Sequence, residues 1–195
     1  MKTLQRIGAI ALCLSGLLAS SFSAAQQEVT YERLLNSQEE PENWLTYNGS
    51  YDGMRHSALT QINHDNVQNL ELKWMLQNQV FGAWQSNPIV VDGVMYITQR
   101  PNDVIAMDPV TGRVFWVYKH TPAENARVCC GANNRGVAIL GDKVYMGTLD
   151  ARLIAIDRIN GEPLWNIEVG DVNLAYSITM APLIIKDKVI VGVGG

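Results

Sequence analysis

The chain has 195 residues, 47% of them hydrophobic and 17% charged, with 15 basic residues against 19 acidic ones. The net charge of −4 argues against a nucleic-acid or anionic-membrane surface, which would need a basic face. After a short leader, roughly 170 residues remain, enough for one domain.

The leader is read at residues 1–25. Lys2 and Arg6 supply a positive start, Ile7 to Leu18 an apolar stretch, and Ser23-Ala24-Ala25 small residues for cleavage before Gln26. The stretch is short for a bilayer span, which takes about 20 apolar residues, so a secretory signal is expected. No second apolar run of spanning length follows. Loss of Lys2 and Arg6 from the 15 bases leaves 13 against 19 acids, moving the charge from −4 to −6. Export means an oxidising, periplasmic compartment. The remaining segment, 26–195, ends on a strand and turn that begin a new unit, and it reads as the N-terminal part of a longer domain.

Two segments repeat. Val90 to Trp116 and Ile139 to Trp165 align with Tyr96 on Tyr145, Ala106 on Ala155, Asp108 on Asp157, Gly112 on Gly161 and Trp116 on Trp165, each pair 49 positions apart. A partial earlier copy ends at Leu72-Lys73-Trp74, and a third begins at Leu183. Within each unit, Asp92-Gly93 or Gly141-Asp142 makes a turn into a strand at Val94–Ile97 or Val144–Gly147. The next strands are Val104–Met107 and Leu153–Ile156. Thr111-Gly112 and Asn160-Gly161 then turn the chain into Phe115-Trp116 and Leu164-Trp165, since both residues of Asn-Gly tolerate positive φ. No long segment has helical periodicity. A period of this length, built from short strands, predicts an all-β chain of β-propeller blades that stack face to face. Trp116 and Trp165 are expected to fill the gaps between blades as ordinary core aromatics.

Cys129 and Cys130 are the only cysteines outside the leader. Adjacent cysteines rarely bond to each other, because the small ring strains the peptide between them, and a strained disulfide is easily reduced. The alternative is two free thiols. His56, His64 and His120 share no close metal spacing, and each is expected at the surface or in the core. Asp92, Asp108 and Asp157 sit in turn or repeat positions, and Asp150 has a turn-like setting. There is no Walker or dinucleotide glycine loop and no Gly-x-Ser-x-Gly.

The repeated pattern Ala-x-Asp-x-x-Thr/Asn-Gly-x-x-x-Trp resembles the tryptophan-docking repeat of quinoprotein alcohol dehydrogenases, which depend on pyrroloquinoline quinone (PQQ). The entry segment Trp44-Leu45-Thr46-Tyr47-Asn48-Gly49, with His56-Ser57, Ile62-Asn63 and Val67-Gln68-Asn69-Leu70, resembles theirs too, as does Val128-Cys129-Cys130 followed by Asn134-Arg135-Gly136. The resemblance implies an eight-bladed propeller when complete, with about three blades present here. It implies a disulfide between Cys129 and Cys130 lying on one face of PQQ, as a flat, rigid platform. Arg135 would contact the quinone oxygens, where a fixed cation stabilises developing negative charge. Thr179 would donate a hydrogen bond to a PQQ carboxylate, and Gly194 and Gly195 would begin a small-residue turn beside the cofactor. Gln85 stands where better-known members carry a PQQ-contacting glutamate, and it brings no charge.

By the same resemblance, the family's catalytic aspartate, the ligands of Ca2+ or a lanthanide, and the tryptophan covering the second PQQ face would all map beyond residue 195. By itself the chain is therefore expected to be inactive. The intact enzyme would oxidise an alcohol, sugar or polyol to a carbonyl and pass electrons to cytochrome c or a quinone. The rival reading is a non-enzymatic propeller scaffold that binds proteins in outer-membrane assembly. Such a scaffold shares the tryptophan repeats but needs neither the cysteine pair nor Arg135.

Overall fold

The computed structural model describes residues 27–78, 80–129 and 131–194. The leader, Cys130 and Gly195 lie outside the described residues. Each repeat folds as a four-stranded antiparallel meander. The first comprises β1 (Ile89–Val91), β2 (Val94–Gln99), β3 (Asp103–Met107) and β4 (Val114–Lys119). The second comprises β5 (Ala138–Leu140), β6 (Lys143–Gly147), β7 (Arg152–Asp157) and β8 (Pro163–Glu168). The partial third copy supplies β9 (Leu183–Ile185) paired with β10 (Lys188–Ile190).

The strand register explains the repeated sequence. Ala106 sits between Tyr96 on β2 and Trp116 on β4, and Ala155 sits between Tyr145 and Trp165 in the same way. The small alanine lets the two aromatic rings meet over it, with centroids 5.9 Å apart in the first blade and 5.8 Å in the second. Both blades also carry a register shift one residue later, at Ala106/Met107 and Ala155/Ile156. Asp108 and Asp157 then close the turn: each Oδ1 accepts the amide two residues on, from Val110 or Ile159. This is the turn role their position predicts.

β3 is buried at every position, because both faces of the blade are covered. Val104 and Ala106 join a core shared with Val144, Met146, Ile154 and Ile156 of the second blade. Ile105 and Met107 point the other way, against Trp74 and Leu76 of the partial earlier copy. A strand buried on both sides reads as a continuous apolar run instead of alternating. The last strand, β4, is largely exposed.

Tryptophans couple successive blades. The Trp74 indole donates to the Pro109 carbonyl at 3.0 Å and the Trp116 indole to the Arg158 carbonyl at 3.3 Å. Pro109 and Arg158 are equivalent positions, 49 apart. The rings rest on Gly112 and Gly161, where a Cβ would come within 2.7 Å of the indole.

Residues 27–45 strap the two blades together at the end where the β1–β2, β5–β6 and β7–β8 turns emerge. Val29 pairs with Gly141, and Trp44 pairs with Val90. A single helical turn, α1 (Tyr31–Leu35), is capped by the Thr30 hydroxyl, which accepts from the Arg33 amide, and buries Leu34. Arg33 reaches Glu40 at 2.7 Å and Asp92 at 2.6 Å, while Arg158, 3% exposed, reaches Asp92 at 3.4 Å. Among the described residues no helix is long and apolar enough to cross a membrane.

Candidate functional site

In an antiparallel meander the β2–β3 turns share one end of the blade with the connections leaving the last strand. At that end, away from the N-terminal strap, lies a cavity of about 620 Å³. Three segments build it: the β4–β5 connection, the β8–β9 connection and the chain after β10. Cys129, Arg135, Thr179 and Gly194, four of the residues singled out in the sequence, all line it. Arg127 lines it as well, and no carboxylate does.

Backbone pairing places these groups. The Arg135 amide donates to the Thr179 carbonyl at 3.1 Å, and the Asn87 amide donates to the Arg135 carbonyl at 3.1 Å. The two connections therefore run side by side as they enter β5 and β9. Ser177 and Gly194 form an antiparallel bridge that brings the third segment alongside. The Arg135 guanidinium donates to the Thr179 hydroxyl at 2.8 Å and to its carbonyl at 3.2 Å. The hydroxyl oxygen thus accepts from Arg135, and its own proton is left for a ligand. A Cβ on Gly194 would meet nothing within 4 Å, so open space faces that backbone.

Cys129 is exposed. Its predicted pairing with Cys130 lies outside the described residues, as does the expected approach of Gly195. Gln85 is exposed and is not part of the cavity wall. The neighbouring Trp84 donates its indole N–H to the Thr98 carbonyl at 2.5 Å, within its own blade. His56 and His64 are exposed.

His120 and Asp150 carry more than their sequence setting indicates. His120 Nε2 lies 3.0 and 3.1 Å from the two oxygens of Asp150, which is 7% exposed. The same carboxylate accepts from the Thr148 hydroxyl at 2.5 Å and the Ala123 amide at 3.1 Å. Burial pushes the Asp150 carboxyl up, but the hydrogen bonds from Thr148 and His120, aided by the histidine charge, outweigh it and hold the carboxyl below the usual range. Asp150 thereby pins the start of the cysteine-bearing connection. The signal in the sequence is a departure from the repeat, since Asp150 aligns with Pro101.

A hollow of about 710 Å³ lies at the opposite end, beside Glu28–Glu32 and Gly141–Lys143. It is shallow and open, and none of Cys129, Arg135, Thr179, Gly194 and Gln85 lines it. Among the described residues no group of three His, Cys, Asp or Glu is placed to hold a metal ion.

The fit to PQQ, a planar polycarboxylate, rests on the cavity itself. Two arginines with no opposing acid suit an anionic ligand, and bare glycine backbone admits a flat ring. The volume lies in the usual range for small-molecule sites, about 300–1,000 Å³.

Comparison with known proteins agrees. Residues 44–194 match the PQQ family described as "Glucose/ethanol/alcohol dehydrogenase, beta-propeller domain". A quinoprotein ethanol dehydrogenase of Pseudomonas putida is 39% identical over 91% of this chain and 29% of its own length. A lanthanide-dependent methanol dehydrogenase of Methylacidiphilum fumariolicum is 36% identical over 94% of this chain and 30% of its own. Among solved structures, the quinohemoprotein alcohol dehydrogenase ADHIIG of Pseudomonas putida superposes with a TM-score of 0.84 at 39% identity, over 87% of this chain and 25% of that one. The chain thus spans less than a third of the length of these relatives. Sequence, fold and the assembled cavity together make this chain a member of the PQQ-dependent alcohol dehydrogenase β-propeller family.

Proposed function

We propose that this chain supplies one wall of the PQQ site of an exported alcohol dehydrogenase. The observation that carries the reading is the convergence of Cys129, Arg135, Thr179 and Gly194 on a single acid-free cavity. PQQ, when bound, supplies the hydride acceptor for oxidation of an alcohol to a carbonyl. Arg135 would hold the cofactor through its fixed charge and remaining donors, which suit developing negative charge. The Thr179 hydroxyl proton would be available to a carboxylate of the cofactor. A disulfide between Cys129 and Cys130 would supply the platform for the ring.

The lanthanide in the name of one relative supports a Ca2+ or lanthanide ion in the intact enzyme, and we assign its ligands to residues past 195. Names such as quinohemoprotein alcohol dehydrogenase and alcohol dehydrogenase (quinone) among the relatives support transfer of electrons to a haem protein or a quinone. A periplasmic location follows from the leader.

Equilibrium dialysis of the chain against PQQ tests the reading. Binding is expected, and Arg135→Ala weakens it about 10- to 100-fold, the loss typical of one charge-assisted hydrogen bond. Absence of binding, or equal affinity in the variant, refutes the site.

A further inference from the structure

Arg100 follows β2 directly, and its side chain is shared between two distant segments. Nε donates to the Ala132 carbonyl at 3.0 Å and Nη1 to the Phe81 carbonyl at 2.9 Å. Ala132 stands between Gly131 and Asn133, which both line the cavity, and it follows the cysteines by two residues. Phe81 opens the stretch that runs to Trp84 and Gln85. Among the described residues Arg100 has no carboxylate within ion-pair distance, so its fork is spent on backbone carbonyls.

Each accepting segment turns at a glycine beside this guanidinium, and at Gly82 the fit excludes a side chain. Gly82, directly after Phe81, has φ +119, and a Cβ there would fall 1.5 Å from Arg100 Nη1. Gly131, directly before Ala132, has φ +89, and a Cβ there would lie 3.8 Å from Nη2. Any side chain at Gly82 would displace the arginine, and both glycines hold backbone conformations that other residues rarely adopt. The blade does not itself require the arginine, because the equivalent residue of the second repeat is Leu149.

We propose that Arg100 is a positioning residue: its guanidinium ties the Phe81–Gln85 stretch to the cysteine-bearing connection and so presets the cavity wall that receives PQQ. The last clause rests on the function proposed above, while the tie between the two segments stands without it. The planar fork is what makes the tie, since it presents donors in fixed directions to two acceptors at once. Lysine, whose donors sit on one rotating ammonium, lacks that fixed fork and reaches two separated acceptors less well.

Hydrogen–deuterium exchange of the cofactor-free chain, paired with PQQ titration, tests both parts. In Arg100→Met, exchange is expected to rise together at residues 80–85 and 131–135 while the β6 and β7 amides keep their protection. PQQ affinity should fall about tenfold, as for loss of a charge-assisted hydrogen bond. Arg100→Lys should restore protection in one segment only. Gly82→Ala keeps the charge but displaces the guanidinium, and should loosen both segments as Arg100→Met does. If Arg100→Met also unprotects β6 and β7, Gly82→Ala decides by the same criterion. In Arg100→Met, unchanged exchange, or loosening confined to one segment, overturns the tie. Paired loosening with PQQ affinity unchanged overturns the presetting of the wall. A wild-type chain that takes up no PQQ refutes the cofactor reading, and the exchange data then judge the tie alone.

Discussion

Trp116 of the first blade rests on Gly161 of the second, and a Cβ at that glycine would fall 2.7 Å from the indole Cδ2. Trp74 stands in the same relation to Gly112. The tryptophan and glycine of the repeat are thus two halves of one contact made between successive copies. The tryptophan brings apolar area and an indole donor, and the glycine removes the one atom that would keep the ring away.

Gly161→Ala should therefore cost more than the backbone alone explains. Gly161 has φ +79, and Gly93 has φ +74, where a Cβ would meet nothing within 4 Å. Gly93→Ala is expected to cost about 1 kcal/mol through the backbone. Gly161→Ala adds displacement of Trp116 and should approach ~3 kcal/mol, the upper range for a single substitution. Urea unfolding of both variants reads the difference, and equal costs would refute the docking contact.

Asp92 holds two arginines from separate parts of the chain, Arg33 at 2.6 Å and Arg158 at 3.4 Å. Hydrogen bonds to Glu40 and Asp92 raise the Arg33 guanidinium above its ordinary value, so its charge persists at any working pH. Asp92→Asn keeps a residue type that tolerates the φ of +51 found there. It leaves the buried Arg158 without its ion-pair partner, which should cost about 3 kcal/mol in denaturant unfolding. A cost near zero would show that Arg158 does not depend on the Asp92 charge.

Asp150→Asn tests the anchor at the start of the cysteine-bearing connection. The folded carboxyl lies below its unfolded value, so it contributes stability that is fully present above about pH 4. That contribution fades as pH falls through the lowered folded value. Wild type should exceed the variant by about 2 kcal/mol at pH 7, with the gap closing in acid. A gap that persists unchanged in strong acid would show that the charge of Asp150 is irrelevant.

Thr179→Val removes the hydroxyl that accepts from Arg135 but leaves the carbonyl contact at 3.2 Å. Stability should shift by no more than about 1 kcal/mol. PQQ affinity should fall about tenfold, and Thr179→Ser should recover it, because the donor returns. Loss of affinity in Thr179→Ser equal to that in Thr179→Val would assign the effect to the methyl group instead.

Part of this site is legible along the chain. The resemblance carried by Val128-Cys129-Cys130, Arg135, the Thr179 segment and Gly194 picks out residues from three segments, and the structure gathers Cys129, Arg135, Thr179 and Gly194 around one cavity. Gln85 stands where the resemblance places a PQQ contact, but it is exposed and stands apart from the cavity wall. Position along a connection says little about where its side chain points. Nothing in the spacing of His120 and Asp150 links them, yet they form one part-buried pair.

By itself the sequence determined the blades. The 49-residue period, the two-residue turns and the apolar runs encode contacts between neighbours in the same meander, where strand register is set by local pattern. It also determined the tryptophan docking, because that contact recurs at a constant interval. Only the tertiary structure decided the rest: Arg100 between Phe81 and Ala132, Asp92 between Arg33 and Arg158, and Asp150 beneath His120. Each joins residues far apart in the chain at places where the copies differ. No periodicity marks such partners; they meet because blade stacking brings their connections to a common end, where a buried charge must find a partner or a carbonyl.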